Sequence, residues 1–205
     1  ACDSYHRWKE DLALLQSMHL KAYRFSVAWT RIAPNGGTDW SEEGFAYYDT
    51  LVDALLEAGI EPYVTLYHWD LPQALEEKGG WRSEETARAF ASYAAKMAEH
   101  FKGRVHQWFT FNEPACIVKM GYGTGEHAPG LKLPPESWSA ATWTGHSALQ
   151  RITGSLMARL PPRISALPHR SCAMQTRKTR WALFPPAASA IRCRRQKQTW
   201  TLPGS

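Results

Sequence analysis

The sequence predicts an α/β fold with a parallel sheet, because two kinds of periodic segment alternate along residues 5–111. In one kind, apolar residues recur every three to four positions, as on amphipathic helices. In the other, bulky residues alternate with small or polar ones, as on strands. Strands joined through helices of this length form parallel βαβ units with right-handed crossovers. A parallel sheet needs cover on both faces or closure into a barrel.

The first half of this pattern predicts a helix, a strand and a second helix. Residues 5–20 have the helical spacing, and residues 23–29 have the alternation of a strand. Proline, asparagine and glycine interrupt the chain at residues 34–37. Ser41 is a suitable N-cap for the second helix, which Gly59 ends.

The second half repeats the same order. Residues 62–67 predict a strand, and Ser83 caps a third helix that Gly103 ends. Residues 105–111 predict a third strand, rich in aromatic residues. Glycines and prolines over residues 121–135 predict a long loop.

The charge is divided unevenly along the chain. The 205 residues carry a net charge of +5, yet all 19 acidic residues lie at or before Glu136 with 13 of the 24 basic ones, which leaves −6 there. The remaining 11 basic residues give +11 over residues 137–205. The overall basic balance is therefore no guide to a nucleic-acid partner. No run of about 18 apolar residues occurs, which excludes a membrane-spanning helix.

The charge break predicts two regions. We expect residues 1–140 to be part of a catalytic domain and residues 141–205 to be a basic, acid-free tail that is irregular or disordered. A shift of reading frame near residue 137 explains why acidic residues and both periodicities end together. The alternative is a genuine basic appendage that binds nucleic acid or a membrane surface. Its basic residues do not share one helical face, which favours the frameshift.

The residues that carry chemistry are expected at the carboxyl ends of the strands, where the loops of a parallel sheet converge. Arg24 lies within the first strand, His68 and Trp69 follow the second, and Asn112 and Glu113 end the third. Imidazole can bond a hydroxyl and indole can stack on a sugar ring. The alternatives are a core histidine, a structural ion pair for Arg24 and a solvated glutamate.

Glu113 is the sharpest of these signals. Pro114 biases it away from the right-handed helical region, so the strand is expected to stop with the carboxyl group at the mouth of the sheet. Burial beside Trp108, Phe109 and Phe111 would desolvate that group and suit it to donate a proton at neutral pH. Metal-ligand spacing is absent among His6, His100, His106 and His169. The four cysteines form no disulfide framework, so we expect reduced thiols.

Five stretches, in order, carry a family resemblance. They are YHRWKED at 5–11, YRFSVAWTRI at 23–32, YHWDLP at 67–72, WFTFNEP at 108–114, and GYG followed by APG within 121–130. With them the chain resembles family 1 of the glycoside hydrolases, the β-glucosidase family of retaining enzymes. That resemblance implies a (β/α)8 TIM barrel, of which residues 1–136 would form about strands 2–4 with their helices.

The resemblance also implies a role for each candidate. It implies that Glu113 is the general acid/base and that Asn112 bonds the sugar 2-hydroxyl. His68 and Trp69 match residues around the sugar. Arg24 matches the arginine that orients the nucleophilic carboxylate.

The second catalytic glutamate is expected much later in the family, and no Glu follows Glu136. The first strand would precede Ala1, so we expect the natural start to be missing. We therefore expect a fragment of a retaining β-glucosidase, inactive as given, that acts on terminal β-D-glucosidic bonds of small β-glucosides and cello-oligosaccharides. A 6-phospho-β-glycosidase fragment and a non-catalytic carbohydrate-binding remnant stay open. We expect a glycoside substrate as partner, no cofactor, metal, nucleic acid or membrane, and a cytoplasmic location; oligomeric state is not predicted.

Overall fold

A sheet of parallel strands forms the centre of the structure. The computed structural model describes residues 3–135, residue 137 and the backbone of residues 180–182. Strands β1 (Ala22–Ser26), β2 (Glu61–Tyr67) and β3 (Gln107–Phe111) lie side by side, and β4 (Arg180–Ala182) pairs with β3. All three pairings are parallel. The carboxyl ends of the strands therefore meet at one edge.

Helices connect and flank the strands. They are α1 (Ser4–Ser17), α2 (Trp29–Ile32), α3 (Glu42–Glu57), α4 (Gln73–Glu76), α5 (Glu84–His100) and α6 (Pro114–Cys116), with a 3₁₀ turn at Gly80–Arg82 and a π-helical segment at Ile117–Thr124. Along the chain, α3 connects β1 to β2 and α5 connects β2 to β3, as a βαβ arrangement requires.

The two predicted helix caps are confirmed. The Ser41 hydroxyl accepts a 3.0 Å hydrogen bond from the amide of Gly44, and Ser83 accepts one of 3.2 Å from the amide of Glu85. Each bond satisfies an amide that has no partner within its helix. Gly59, with a φ of +69°, follows the end of α3 in a conformation that glycine adopts without steric penalty.

The first strand ends earlier than the sequence predicts. The expected strand over residues 23–29 stops at Ser26, and Trp29 begins α2 instead. Val27 still donates to the carbonyl of Thr65, but the next amide, that of Ala28, donates to the Tyr48 hydroxyl on α3. A side chain from another element thus takes up the backbone amide just beyond β1, and alternation within the strand does not reveal this contact.

The predicted loop over residues 121–135 is wrong at its start. The chain forms a π-helical segment at Ile117–Thr124, and Gly125, with a φ of +74°, ends it. A Cβ atom at Gly121 would lie 2.8 Å from the carbonyl oxygen of Ala128, so the returning chain packs directly on this segment. The glycines here permit close packing rather than an open loop.

The core between the sheet and helices α3 and α5 is rich in aromatic rings. Trp29 and Tyr93 are both fully buried and stack with ring centroids 5.2 Å apart. Phe90 is also fully buried and lies 4.7 Å from Phe111 at the end of β3. The Tyr93 hydroxyl donates to the carbonyl of Leu66, which is how this buried polar group is satisfied.

Helix α1 packs differently from α3 and α5. It contains no buried residue, although Trp8, Leu12 and Leu15 contact the core. A cavity of about 360 Å³ lies among α1, β1 and α3. Leu14 and Met18, on another face of the helix, are about 60% and 65% exposed.

Apart from β4, the predicted tail of residues 141–205 lies outside the described residues, and the sequence did not predict β4. The proposed boundary near residue 140 therefore stays a prediction. Over the range that the structure describes, no helix is both long and apolar enough to cross a membrane.

Candidate active site

Four of the five predicted site residues directly follow the carboxyl ends of two neighbouring strands, and the fifth, Arg24, lies within β1 beside them. Register pairs Ser26 with Thr65 and Tyr67 with Phe111, so the residues that follow β2 and β3 emerge beside each other. The amide of Asn112 donates to the carbonyl of Tyr67, which extends the pairing one step beyond β3. Backbone pairing thus holds the ends of the strands together.

Arg24 connects the first strand to the third. Its Nη2 donates a 2.7 Å hydrogen bond to Asn112 Oδ1, and its Nε donates one of 2.9 Å to the buried hydroxyl of Thr65. The guanidinium lies 4.7 Å from the ring centroid of Phe109. Within residues 3–135 its hydrogen-bond partners are an amide and a hydroxyl, and the ion pair considered for Arg24 stays a prediction. The side chain is exposed at the mouth of the sheet, where water also solvates its charge.

His68 lies close enough to Arg24 and Glu113 for the charges of both to act on its ring. Its Nδ1 is 2.8 Å from the hydroxyl of Ser26, a residue that the sequence analysis did not single out. Desolvation lowers the pKa of His68, the positive charge of Arg24 lowers it further, and the negative charge of Glu113 opposes both. Desolvation and Arg24 therefore favour the neutral form of the ring. His68 is exposed, so the alternative of a core histidine is wrong.

Trp69 has a strained backbone and a fixed ring. Its φ is +82°, a region that costs a bulky residue about 1–3 kcal/mol. The indole Nε1 donates a 2.9 Å hydrogen bond to the carbonyl of Asn112, and the ring lies 4.6 Å from that of His127. The ring of His127 therefore packs against the indole.

Glu113 stands just beyond β3. Its φ is +44°, so Pro114 does keep it out of the right-handed helical region. The side chain is exposed, and the expected burial beside Trp108, Phe109 and Phe111 is wrong. Phe111 points into the core as the last residue of β3, whereas the left-handed turn directs Glu113 away from it.

Cys116 is a second residue that the sequence analysis missed. Its thiol donates a 3.1 Å hydrogen bond to Glu113 Oε2. This hydrogen bond, with burial and the negative charge of Glu113, raises the pKa of the thiol. The three-residue spacing is that of neighbours on a helical turn, and α6 begins directly after Glu113, so the spacing was the available signal.

Asp70 is a largely buried carboxyl group next to Trp69. Burial raises its pKa to about 6, although the backbone amides of His68, Trp29 and Thr30 favour the charged form. Since Trp29 and Thr30 begin α2, this carboxyl group links the end of β2 to that helix. A cavity of about 130 Å³ lies next to it, lined in part by Trp69, Glu76 and His127. Among the described residues, no group of three or more metal-ligating side chains is placed to hold a metal ion.

Comparison with known proteins identifies the relatives of this chain. The profile of glycosyl hydrolase family 1 matches residues 1–150. β-Glucosidase A of Thermotoga maritima is 48% identical over 132 residues, which is 64% of this chain and 30% of the relative. β-Glucosidase 25 of Oryza sativa subsp. japonica is 53% identical over 131 residues, or 63% of this chain and 26% of the relative.

The solved structures that resemble this chain are also β-glucosidases. The family 1 β-glucosidase from Thermotoga maritima superimposes with a TM-score of 0.74 at 41% identity, covering 77% of this chain and 36% of that one. Its complex with glucoimidazole gives a TM-score of 0.75. The predicted partial (β/α)8 barrel is confirmed by this match. The chain spans about three tenths of the length of the β-glucosidases named above.

Proposed function

Because the chain belongs to glycosyl hydrolase family 1, we propose that it carries the acid/base part of a retaining β-glucosidase site. Glu113 protonates the glycosidic oxygen and later removes a proton from the attacking water. The substrates are terminal β-D-glucosidic bonds of small β-glucosides and cello-oligosaccharides. The observation that carries the proposal is the hydrogen bond between Arg24 and Asn112, which joins β1 to the residue directly before Glu113.

Each neighbour of Glu113 has a distinct task in this proposal. Asn112 donates to or accepts from the sugar 2-hydroxyl, a contact that strengthens in the transition state. The Oδ1 atom of Asn112 already accepts from Arg24, so its Nδ2 group is the donor left for the sugar. His68 and Trp69 hold the remainder of the ring.

Arg24 orients a carboxylate that acts as nucleophile. Retaining hydrolysis requires that second carboxyl group about 5–5.5 Å from the first, where it attacks the anomeric carbon as the leaving group takes a proton from the acid. Residues 137–205 contain no Asp or Glu. We therefore expect the 205-residue chain to bind a glucoside without turning it over.

The test is to incubate the purified chain with an aryl β-glucoside and to measure the binding of glucoimidazole to the same sample by calorimetry. Binding without hydrolysis supports the proposal, and Asn112→Ala is expected to weaken the binding about tenfold. If the chain hydrolyses the glucoside and Glu113→Gln abolishes this activity, the claim that the chain supplies only one of the two catalytic carboxyl groups is overturned. Tighter binding of a 6-phosphorylated sugar than of the plain one would instead identify a 6-phospho-β-glycosidase.

The frameshift is tested separately on the gene. Translation of the other two frames beyond residue 137 is expected to reveal further strand and helix units and a Thr-Glu-Asn-Gly segment. If neither alternative frame contains these units or this segment, the frameshift is contradicted.

A further inference from the structure

Ser26 and His68 meet at the ends of adjacent strands, 42 positions apart in the sequence. Ser26 is the last residue of β1, and its backbone pairs with Thr65 in β2. The next amide, that of Val27, also bonds to the carbonyl of Thr65 at 2.9 Å. The Ser26 hydroxyl is thus attached to a rigid part of the sheet, whereas His68 lies in the turn after β2.

The hydrogen bond between these residues involves only one ring nitrogen. Ser26 Oγ lies 2.8 Å from Nδ1, and Nε2 has no hydrogen-bond partner within residues 3–135. A neutral imidazole has one nitrogen that donates and one that accepts. The partner of Nδ1 therefore decides whether Nε2 donates or accepts.

We propose that Ser26 is a positioning residue: its hydroxyl donates to Nδ1 of His68 and thereby keeps the hydrogen on Nε2. The sugar-binding consequence rests on the proposed function, but the assignment of the tautomer does not. His68 then presents a fixed N–H donor, which recognises a sugar hydroxyl through its oxygen. The hydrogen of that hydroxyl remains for another acceptor in the site.

Three observations support this direction of the hydrogen bond. Among the residues that the structure describes, Nδ1 is the only hydrogen-bond partner of the Ser26 hydroxyl. Nδ1 is therefore the one acceptor there to which the hydroxyl can donate its hydrogen. The charge of Arg24 and desolvation both favour the neutral ring, whose Nδ1 lone pair can accept. The Nε2–H form is also the more stable tautomer of free histidine, so the hydroxyl reinforces an intrinsic preference.

The test is long-range ¹H–¹⁵N NMR on the full chain labelled with ¹⁵N-histidine, with His68→Gln used to assign the ring signals of His68 among the 8 histidines. We expect the wild type to carry its hydrogen on Nε2 alone. Ser26→Ala is expected to give a mixture of both tautomers, and Ser26→Thr, which keeps the hydroxyl, is expected to restore the single form. Ser17→Ala is the matched control, because the Ser17 hydroxyl bonds the carbonyl of Leu14 in α1.

A hydrogen on Nδ1 in the wild type would overturn the proposal, and this measurement needs no variant beyond the His68→Gln protein used for assignment. An unchanged tautomer in folded Ser26→Ala would also overturn it. In a parallel titration with glucoimidazole, we expect Ser26→Ala to weaken binding about threefold to tenfold and Ser26→Thr to retain it. If the wild type binds no sugar while the tautomer behaves as expected, the proposed function fails and the role of Ser26 stands.

Discussion

Arg24 and Asn112 are joined by a 2.7 Å hydrogen bond from Nη2 to Oδ1, although 88 positions separate them in the sequence. The same guanidinium bonds the hydroxyl of Thr65 on the strand between them. One side chain thus connects β1, β2 and the end of β3. The arrangement of the site depends on this connection, and it should be measurable as stability.

Arg24→Ala is expected to destabilise the chain by about 1–3 kcal/mol. The loss leaves the buried Thr65 hydroxyl without its partner and frees the amide of Asn112. Arg24→Lys should recover little, because an ammonium group cannot reproduce the two directions of the guanidinium. Urea unfolding measures the effect, with exposed Arg88→Ala in α5 as the matched control, expected within about 0.5 kcal/mol of wild type. Equal losses in both alanine variants would contradict this connection.

Phe90→Ala should be among the most damaging single substitutions. Phe90 is fully buried, with ring centroids 5.4 Å from Trp29 and 4.7 Å from Phe111. Truncation leaves a cavity that such rings cannot fill, and the expected loss is about 3–5 kcal/mol. Leu14→Ala on α1, at 60% exposure, should change stability by about 0.5 kcal/mol or less. A small loss for Phe90→Ala would show that this aromatic cluster does not hold the helices on the sheet.

Asp70 should make the stability depend on pH. Burial raises the pKa of Asp70 to about 6 from its ordinary 3.8, so between these values the folded chain keeps a proton that the unfolded chain has lost. The contribution of Asp70 is therefore full below the ordinary pKa and falls as the pH rises through about 6.

Asp70→Asn removes this titration. From about pH 5 to about pH 7.5, the free energy of unfolding of the wild type should fall relative to that of the variant by about 1–2 kcal/mol. Parallel pH profiles for the two proteins would contradict the burial of a charged Asp70.

Cys116 should report the carboxylate of Glu113. Its hydrogen bond to Glu113 raises the pKa of the thiol, so alkylation near pH 8 should be slow. Glu113→Gln removes the negative charge and should speed alkylation severalfold, with the other three cysteines replaced by serine. Glu126→Gln, which removes a charge that does not act on this thiol, is the control. Equal rates in all three proteins would show that the two side chains do not meet in solution.

Local features were predictable, and contacts between distant segments were not. Ser41 and Ser83 cap their helices as expected, because a cap depends on residues two or three positions away. Just beyond β1, the amide of Ala28 bonds the Tyr48 hydroxyl on α3, and no spacing in the sequence reveals this contact. The π-helical segment at Ile117–Thr124 was missed because the glycines that permit its close packing are also typical of loops.

In the site, too, the position of residues along the chain was predictable and contacts between distant segments were not. Parallel strands bring their carboxyl ends to one edge, so the convergence of Arg24, His68 and Glu113 could be expected from their order alone. The partner of His68 could not, because Ser26 lies on another strand. The exposure of Glu113 depends on its left-handed turn, which its aromatic neighbours in the sequence do not indicate.

The proposed role of Glu113 is that of the general acid/base. Its most direct test is a chimera in which residues 3–135 replace the matching segment of β-glucosidase A of Thermotoga maritima, assayed with and without Glu113→Gln. The substitution should lower kcat/KM for an alkyl β-glucoside by about 10²–10⁴. It should lower the value far less for a dinitrophenyl β-glucoside, whose leaving group needs no proton, and Glu126→Gln should lower neither. Equal activity of the Glu113→Gln chimera on both substrates, at the level of the unsubstituted chimera, would contradict the claim.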